Sequence, residues 1–352
     1  MGTLRKIAAV CSDGKIRLVE EEVPELRPGT VRIRAYASLV SPGTELNGWK
    51  HLFSLRGGRD NGERRKFGYS NAGIVDAVGE GVTQFKPGDR VASIGYGLAL
   101  HSDWAVVPQN LCVLLPEGVT FEQGSYAMLL ATAMQAVRRG QPEIGEKACV
   151  VGMGLVGQLT AQLLTASGCR VLGWARNDRQ VEIAKAWGIA DAINMKKCDP
   201  VACTQAFTNG RGLDQSVFAF PGPAGDSWDQ TLSCMKKTPD GHWMGRVVVV
   251  GGSSIELKWV PANLDVRIAA RTGAGYHDAA WELGRDYPPV FMQWTTRTNL
   301  EVCMELVRYG NVNVDGLTTH RIDLFNAEAQ IDAIGNPEDI LGLIFKNGGV
   351  EA

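Results

Sequence analysis

The chain has 352 residues, with 36 Lys and Arg against 38 Asp and Glu and a formal net charge of −2. That near-balance excludes the basic footprint of a nucleic-acid or anionic-membrane binder, and no apolar run approaches the roughly 20 residues needed to span a bilayer. The length suits two domains rather than one, at about 100–200 residues each. The opening MGTLRKIAAVCSDGK reads as a first strand, not an export signal. The eight cysteines contain no CxxC pair, against a zinc knuckle or a disulfide framework, so reduced thiols in the cytoplasm are expected.

The first 125 residues read as β-rich. Val31–Tyr36 alternates apolar and polar side chains between two Pro-Gly turns, the pattern of a half-buried strand. Ala72–Val78, the segment after Pro87-Gly88, and Trp104–Pro108 follow as further strands, and short strands with frequent turns suggest a small barrel or sandwich. Gly57–Lys66 is polar and glycine-rich and reads as a mobile surface loop. From Phe121 to Arg139 the composition predicts one helix. Strand and helix then alternate: Ala148–Val151, a helix over Gln158–Ser167, Arg170–Trp174, a helix over Arg179–Trp187, and strands at Ser216–Phe220, Arg246–Val250 and Val266–Ala270. This alternation implies a parallel, doubly wound sheet. The tail carries a helix from about Leu300, an extended stretch at Thr318–Ile322, and predicted helices at Ala327–Ile334 and Glu338–Ile344.

Gly152-Met153-Gly154-Leu155-Val156-Gly157 is a GxGxxG that follows an apolar strand and opens an apolar helix. Gly152 permits the tight turn, Gly154 lets a pyrophosphate approach the backbone, and Gly157 lets helix and strand pack closely. The free N–H groups at the helix start, from Leu155 and Val156 onward, suit phosphate. An NAD site wants an acidic residue at the end of the second strand, to accept from the ribose 2′-hydroxyl. Here Ala175 fills that position and Arg176 follows, which favours NADP(H) over NAD(H), because a guanidinium binds a 2′-phosphate. The other reading of Arg176 is a solvated residue at a helix start, with an unselective cofactor site.

These features together resemble the medium-chain dehydrogenase/reductase superfamily over essentially the whole chain. The markers are the GxGxxG, Pro87-Gly88-Asp89-Arg90-Val91, Ala105-Val106-Val107-Pro108 and Thr319-His320-Arg321. The resemblance implies a GroES-like, β-rich catalytic domain over 1–125 and 293–352 and a Rossmann domain over 126–292. It also implies a homodimer joined at the last strand of the sheet and a cofactor contact at Thr132. Many members hold a catalytic zinc through Cys, a GHE motif and an acidic residue. At the matching positions this chain has Ser41 or Pro42, then Tyr69 and Ser70 in Gly68-Tyr69-Ser70, and Met128. None is a zinc ligand. Ser41-Pro42-Gly43-Thr44-Glu45 and Gly68-Tyr69-Ser70-Asn71-Ala72-Gly73 resemble a zinc-independent branch of the superfamily, so no metal is expected.

Without zinc, hydride chemistry at a carbinol carbon still needs an oxyanion partner and a proton carrier. Ser41, Thr44, Glu45, Tyr69 and His101 are the candidates for the cleft. Tyr69 is either a hydrogen-bond donor to substrate or a ring packed over the cofactor. Glu45 is either a base or a carboxylate that caps backbone N–H groups. His101 is either a proton carrier or a lone surface histidine. The expected function is NADP(H)-dependent, zinc-independent interconversion of an alcohol and a carbonyl on a small molecule, with a polyol, sugar or cyclitol suggested by the polar candidate groups. The alternatives are a quinone or enoyl reductase and a non-catalytic NADPH-binding protein.

Overall fold

The computed structural model describes residues 3–256 and 262–348. The chain divides into two units, Met1–Ala131 with Gly273–Tyr309 and Thr318–Ala352, and Thr132–Thr272 with Gly310–Leu317. The return to the first unit thus begins at Gly273, where the sequence reading drew it at 293. The segment after Gly273 is fastened to the first unit by its own contacts: Asn110 Nδ2 donates to the Trp281 carbonyl at 2.6 Å, and Arg297 Nη1 donates to Asn110 Oδ1 at 2.7 Å. Parts of the expected domains, at 1–2, 257–261 and 349–352, lie outside the described residues.

The first unit opens with β1 (Leu4–Cys11), β2 (Ile16–Glu22) and β3 (Thr30–Val40), then α1 (Pro42–Leu46), α2 (Trp49–Ser54) and β4 (Arg64–Lys66). The loop expected over Gly57–Lys66 therefore ends in a strand. Arg64–Lys66 pairs antiparallel with Ala9–Cys11, and Arg64 forms an ion pair with Asp60 at 2.8 Å. β5 (Ser70–Val78), β6 (Arg90–Ile94), β7 (Trp104–Pro108) and β8 (Cys112–Leu114) continue the sheet structure. The single helix predicted from Phe121 is two: α3 (Phe121–Gly124), closed at its start by a Thr120/Gln123 capping box, and α4 (Ala127–Gly140). Ser70 explains the break. Its hydroxyl donates to the Ser125 carbonyl at 2.7 Å and accepts the Met128 N–H at 3.2 Å, so backbone groups at the junction bond to a side chain instead of to each other.

The second unit runs β9 (Lys147–Val151), α5 (Leu155–Ala166), β10 (Arg170–Ala175), α6 (Asp178–Ala186), β11 (Ile193–Asn194), α7 (Pro200–Thr208), β12 (Gln215–Ala219), β13 (Gly222–Pro223), α8 (Asp226–Cys234), β14 (Trp243–Val250), β15 (Ser253–Ser254) and β16 (Ala262–Ile268). Six strands form one parallel sheet in the order β11-β10-β9-β12-β14-β16, the doubly wound arrangement of a dinucleotide-binding fold. β9, β12 and the end of β14 are buried on both faces, which is why they read as continuous apolar runs. Trp174, Phe218, Trp228 and Met235 fill the core around them. The expected last strand is β16, at the sheet edge.

The tail supplies α9 (Ala279–Glu282), α10 (Thr296–Arg308), β17 (Thr318–Asp323), α11 (Ala327–Asp332) and β18 (Gly342–Lys346). The helix predicted over Glu338–Ile344 is wrong. Pro337–Asp339 makes one short turn, and β18 is a buried strand between β17 and β3. A short apolar run such as Leu341–Phe345 cannot be assigned by periodicity alone. In the first unit the seven-stranded sheet has the order β17-β18-β3-β5-β6-β8, with β7 also paired to β3, and a three-stranded sheet β2-β1-β4 accompanies it. Val10, Val40, Trp49, Phe67, Leu343 and Phe345 belong to one buried cluster of that unit.

Candidate functional site

The glycine cradle lies in the second unit, between the end of β9 and the start of α5. Gly152 has φ +96°, a backbone conformation that disfavours side chains. A Cβ on Gly157 would stand 1.8 Å from the Gly152 carbonyl oxygen, so only glycine lets the helix pack this close to the turn. Gly154 is the N-cap of α5 and no side chain caps the helix, leaving the N–H groups of its first turn free for an anion. Leu155 and Val156 are the first helical residues, so the predicted helix begins earlier than Gln158.

Arg176 follows β10 directly and is exposed, with no carboxylate paired to its guanidinium among the described residues. Asn177 caps α6 by accepting the Gln180 N–H at 2.9 Å. The nearest following carboxylate, Asp178, is already engaged: Lys197 holds it at 2.5 Å and Asn194 at 2.9 Å, and these contacts keep its pKa below the usual carboxylate range. Thr132 is a half-buried residue of α4. These residues fit a dinucleotide.

The five candidate catalytic residues all lie in the first unit. α1 turns directly out of β3, and this brings Glu45 back toward Ser41. The Glu45 carboxylate accepts the Ser41 N–H at 2.5 Å through Oε2, which caps α1. Its other oxygen, Oε1, lies 3.2 Å from His101 Nε2, at ion-pair distance but without hydrogen-bond alignment. His101 Nδ1 lies 2.9 Å from Ser38 Oγ, and the ring packs edge-on to Phe67 with centroids 4.7 Å apart. His101 is 0% exposed, so it is not the lone surface histidine that the sequence left open. Arg65 Nη2 donates to the Glu45 carbonyl at 2.8 Å. A pocket of about 300 Å³ opens beside this group, lined among others by Thr44, Glu45, Asn47, His51 and Arg65.

Tyr69 is 4% exposed. Burial pushes its phenol well above the ordinary tyrosine pKa and the Glu45 charge adds to that, while hydrogen bonding with Ser41 and Thr44 offsets part of the shift. The phenol therefore keeps its proton at neutral pH and can serve as a donor, not as a base. Ser41, Thr44, Glu45, Tyr69 and His101 thus form one connected set, in which Thr44 alone is exposed.

The positions that the sequence aligned with zinc ligands make other contacts here. Ser70 joins α3 to α4, and Met128 gives its N–H to Ser70. Among the described residues no three His, Cys, Asp or Glu side chains stand together as a metal-ligand group. Glu45 and His101 make a pair, one short of the three protein ligands of a catalytic zinc site.

Two participants escaped the sequence reading. Ser38 sits on β3 without any motif to announce it. Tyr276 accepts the Tyr96 N–H at 3.0 Å and lies near enough to influence the Tyr69 phenol. A signal for Tyr276 existed in the preceding Gly273-Ala274-Gly275, where Gly273 and Gly275 both have positive φ.

Residues 156–277 match the family described as zinc-binding dehydrogenase; the match includes none of Ser41, Tyr69, Ser70 or Met128. An alcohol dehydrogenase of Cupriavidus necator is 22% identical over 96% of this chain and 97% of its own length. A quinone oxidoreductase of Pseudomonas aeruginosa is 28% identical over 48% of this chain and 52% of its own. A sorbitol dehydrogenase of Mus musculus is 31% identical over 44% and 50%. Among solved structures, alcohol dehydrogenase TADH from Thermus sp. ATN1 superposes with a TM-score of 0.75 at 18% identity, covering 97% of this chain and all of the other. A Sinorhizobium meliloti 1021 protein solved bound to NADP gives 0.72 at 18% identity, covering 98% of this chain and 99% of the other. Fold and relatives together make the chain an oxidoreductase, with the match to the zinc-binding dehydrogenase family confined to residues 156–277.

Proposed function

We propose that the chain is an NADP(H)-dependent oxidoreductase that interconverts an alcohol and a carbonyl on a small, polar, polyhydroxylated substrate without zinc. The observation that carries this reading is the buried Tyr69–Glu45–His101 set, which offers both a donor and a proton carrier where no group of three metal-ligating side chains stands among the described residues. Bound NADP(H) supplies or takes the hydride. Gly152, Gly154, Gly157 and the first N–H groups of α5 hold the pyrophosphate, and Arg176 holds the 2′-phosphate. Tyr69, kept protonated by burial, donates a hydrogen bond to the substrate oxygen, with Ser41 and Thr44 orienting the phenol. Glu45 takes or returns the proton, and His101, held by Ser38, stabilises whichever charge results. The sorbitol dehydrogenase relative supports the polyol class. The quinone oxidoreductase relative supports a second reading, reduction of quinones or activated double bonds. The exposed edge at β16 suits pairing with a second copy, and eight free thiols suit the cytoplasm.

The test is steady-state turnover with NADPH or NADP+ across carbonyls, polyols, enones and quinones. The reading expects activity with polar carbonyls or polyols. Activity confined to quinones or enones would replace it with the second reading, and tight NADPH binding without any turnover would overturn both.

A further inference from the structure

The segment Cys198-Asp199-Pro200-Val201-Ala202-Cys203 enters α7. Asp199 is the N-cap, accepting the Val201 N–H at 2.9 Å, and Pro200 is the first helical residue. Cys198 and Cys203 therefore occupy the two positions flanking a helix start whose side chains regularly pack together, one before the cap and one four residues into the helix. Here both positions are cysteines, and the Cys198 thiol lies near enough to Cys203 to influence its ionisation. Both are partly exposed, whereas Cys11, Cys112, Cys149, Cys169, Cys234 and Cys303 are buried. The Cys198 thiol also reaches the Asn194 carbonyl at 3.3 Å.

We propose that Cys198 and Cys203 are an oxidisable dithiol, closed to a disulfide by a hydroperoxide, and that its state is read at the nucleotide-binding turn. In the first step one thiolate attacks the peroxide, the O–O bond breaks, and a sulfenic acid forms as hydroxide or alkoxide leaves. In the second step the other thiol attacks that sulfur, the S–S bond forms, and water leaves. Two thiols are oxidised and one peroxide is reduced. Burial and the neighbouring thiol hold the Cys203 pKa above its usual value, so its thiolate is scarce at neutral pH and grows as pH rises, and oxidation at Cys203 should follow it. The link to the nucleotide runs through Asp178. Asn194, at the end of β11, and Lys197, on the loop that follows it and carries Cys198, hold that carboxylate, and Asp178 opens α6 two residues after Arg176. Closing the disulfide removes the Cys198 donor from the Asn194 carbonyl and fixes the loop to α7. This part rests on Arg176 holding the 2′-phosphate; the chemistry of the thiols does not.

The experiment treats the purified full chain with hydrogen peroxide, alkylates the remaining thiols in denaturant, and maps peptides by mass spectrometry with and without dithiothreitol. A Cys198–Cys203 cross-link that dithiothreitol reverses is expected, and it should be absent in Cys198→Ser and Cys203→Ser. Sulfinic or sulfonic acid at either cysteine without that cross-link would overturn the proposal, as would a cross-link to any other cysteine. The second arm titrates NADPH and NADH into reduced and oxidised protein. A shift in NADPH affinity of about fivefold, larger than the shift for NADH, is expected. Cross-linking with NADPH affinity unchanged would overturn the coupling. Equal shifts for both cofactors would overturn the Arg176 reading and leave the dithiol standing.

Discussion

Gly157 and Gly154 stand three residues apart in the same cradle, yet alanine at each should fail for a different reason. A Cβ at 157 would meet the Gly152 carbonyl oxygen at 1.8 Å and its carbon at 2.9 Å. Real contacts begin above about 3 Å, so α5 or the turn must move by more than 1 Å, and overpacking of this kind costs about 1–3 kcal/mol. The gain in helix propensity from Gly to Ala offsets about 1 kcal/mol. The clash is with backbone, which cannot swing aside like a side-chain end, so the upper part of the range applies and Gly157→Ala should lose about 1–2 kcal/mol. Gly154 has φ −73°, and nothing lies within 4 Å of its ideal Cβ. Gly154→Ala should therefore fold with a loss below about 1 kcal/mol, the ordinary difference between Gly and Ala at an N-cap. Its cost should appear when the pyrophosphate arrives, as NADPH affinity lowered by about tenfold or more. Urea denaturation monitored by tryptophan fluorescence, paired with NADPH titration, separates the two. Wild-type stability for Gly157→Ala, or unimpaired NADPH binding by Gly154→Ala, would refute the assignment of these glycines.

Tyr69→Phe should lower kcat by about 10²–10³ with a smaller effect on KM, measured with the best substrate of the panel, because it removes a donor that matters most in the transition state. Arg176→Ala should weaken NADPH by about 1.5–3 kcal/mol and NADH much less, read by titration; equal losses would deny Arg176 the 2′-phosphate. The Asp60 carboxylate is held at about 2 by Arg64, and Arg17 lowers Asp13. Both folded values lie below the unfolded ones, so their contribution is complete above about pH 4 and is lost as pH falls toward 2, which thermal melts in acid should show as a declining midpoint. Tyr69 shifts the opposite way: with its folded value raised, stability should fall as pH climbs past about 10, where the unfolded phenol ionises first, and Tyr69→Phe should remove that component.

The Rossmann unit was legible because its signals are local. The strand before the glycines, the glycines themselves and the helix after them lie next to one another in sequence. The absence of an acidic residue before Arg176 was equally local. The β18 strand was not, because what makes Gly342–Lys346 a strand is burial between β17 and β3, each remote in sequence. The break before Ala127 was hidden for the same reason: it depends on the Ser70 hydroxyl. In the candidate site the residues Ser41, Thr44, Glu45 and Tyr69 could be read from their motifs. The sequence could not show that one Glu45 oxygen caps α1 while the other faces a fully enclosed His101, nor that Ser38 and Tyr276 join them. Those contacts link β3, α1, the approach to β7 and a segment that returns from Gly273.

The proposed function requires that this chain's own side chains, in place of zinc, bind the substrate oxygen and move the proton while NADP(H) carries the hydride. The most direct measurement is the rate of NADPH-dependent carbonyl reduction before and after exhaustive treatment with 1,10-phenanthroline, with the metal content of the protein determined in parallel. The account predicts an unchanged rate and no stoichiometric zinc. A rate abolished by the chelator and restored by added zinc would contradict it.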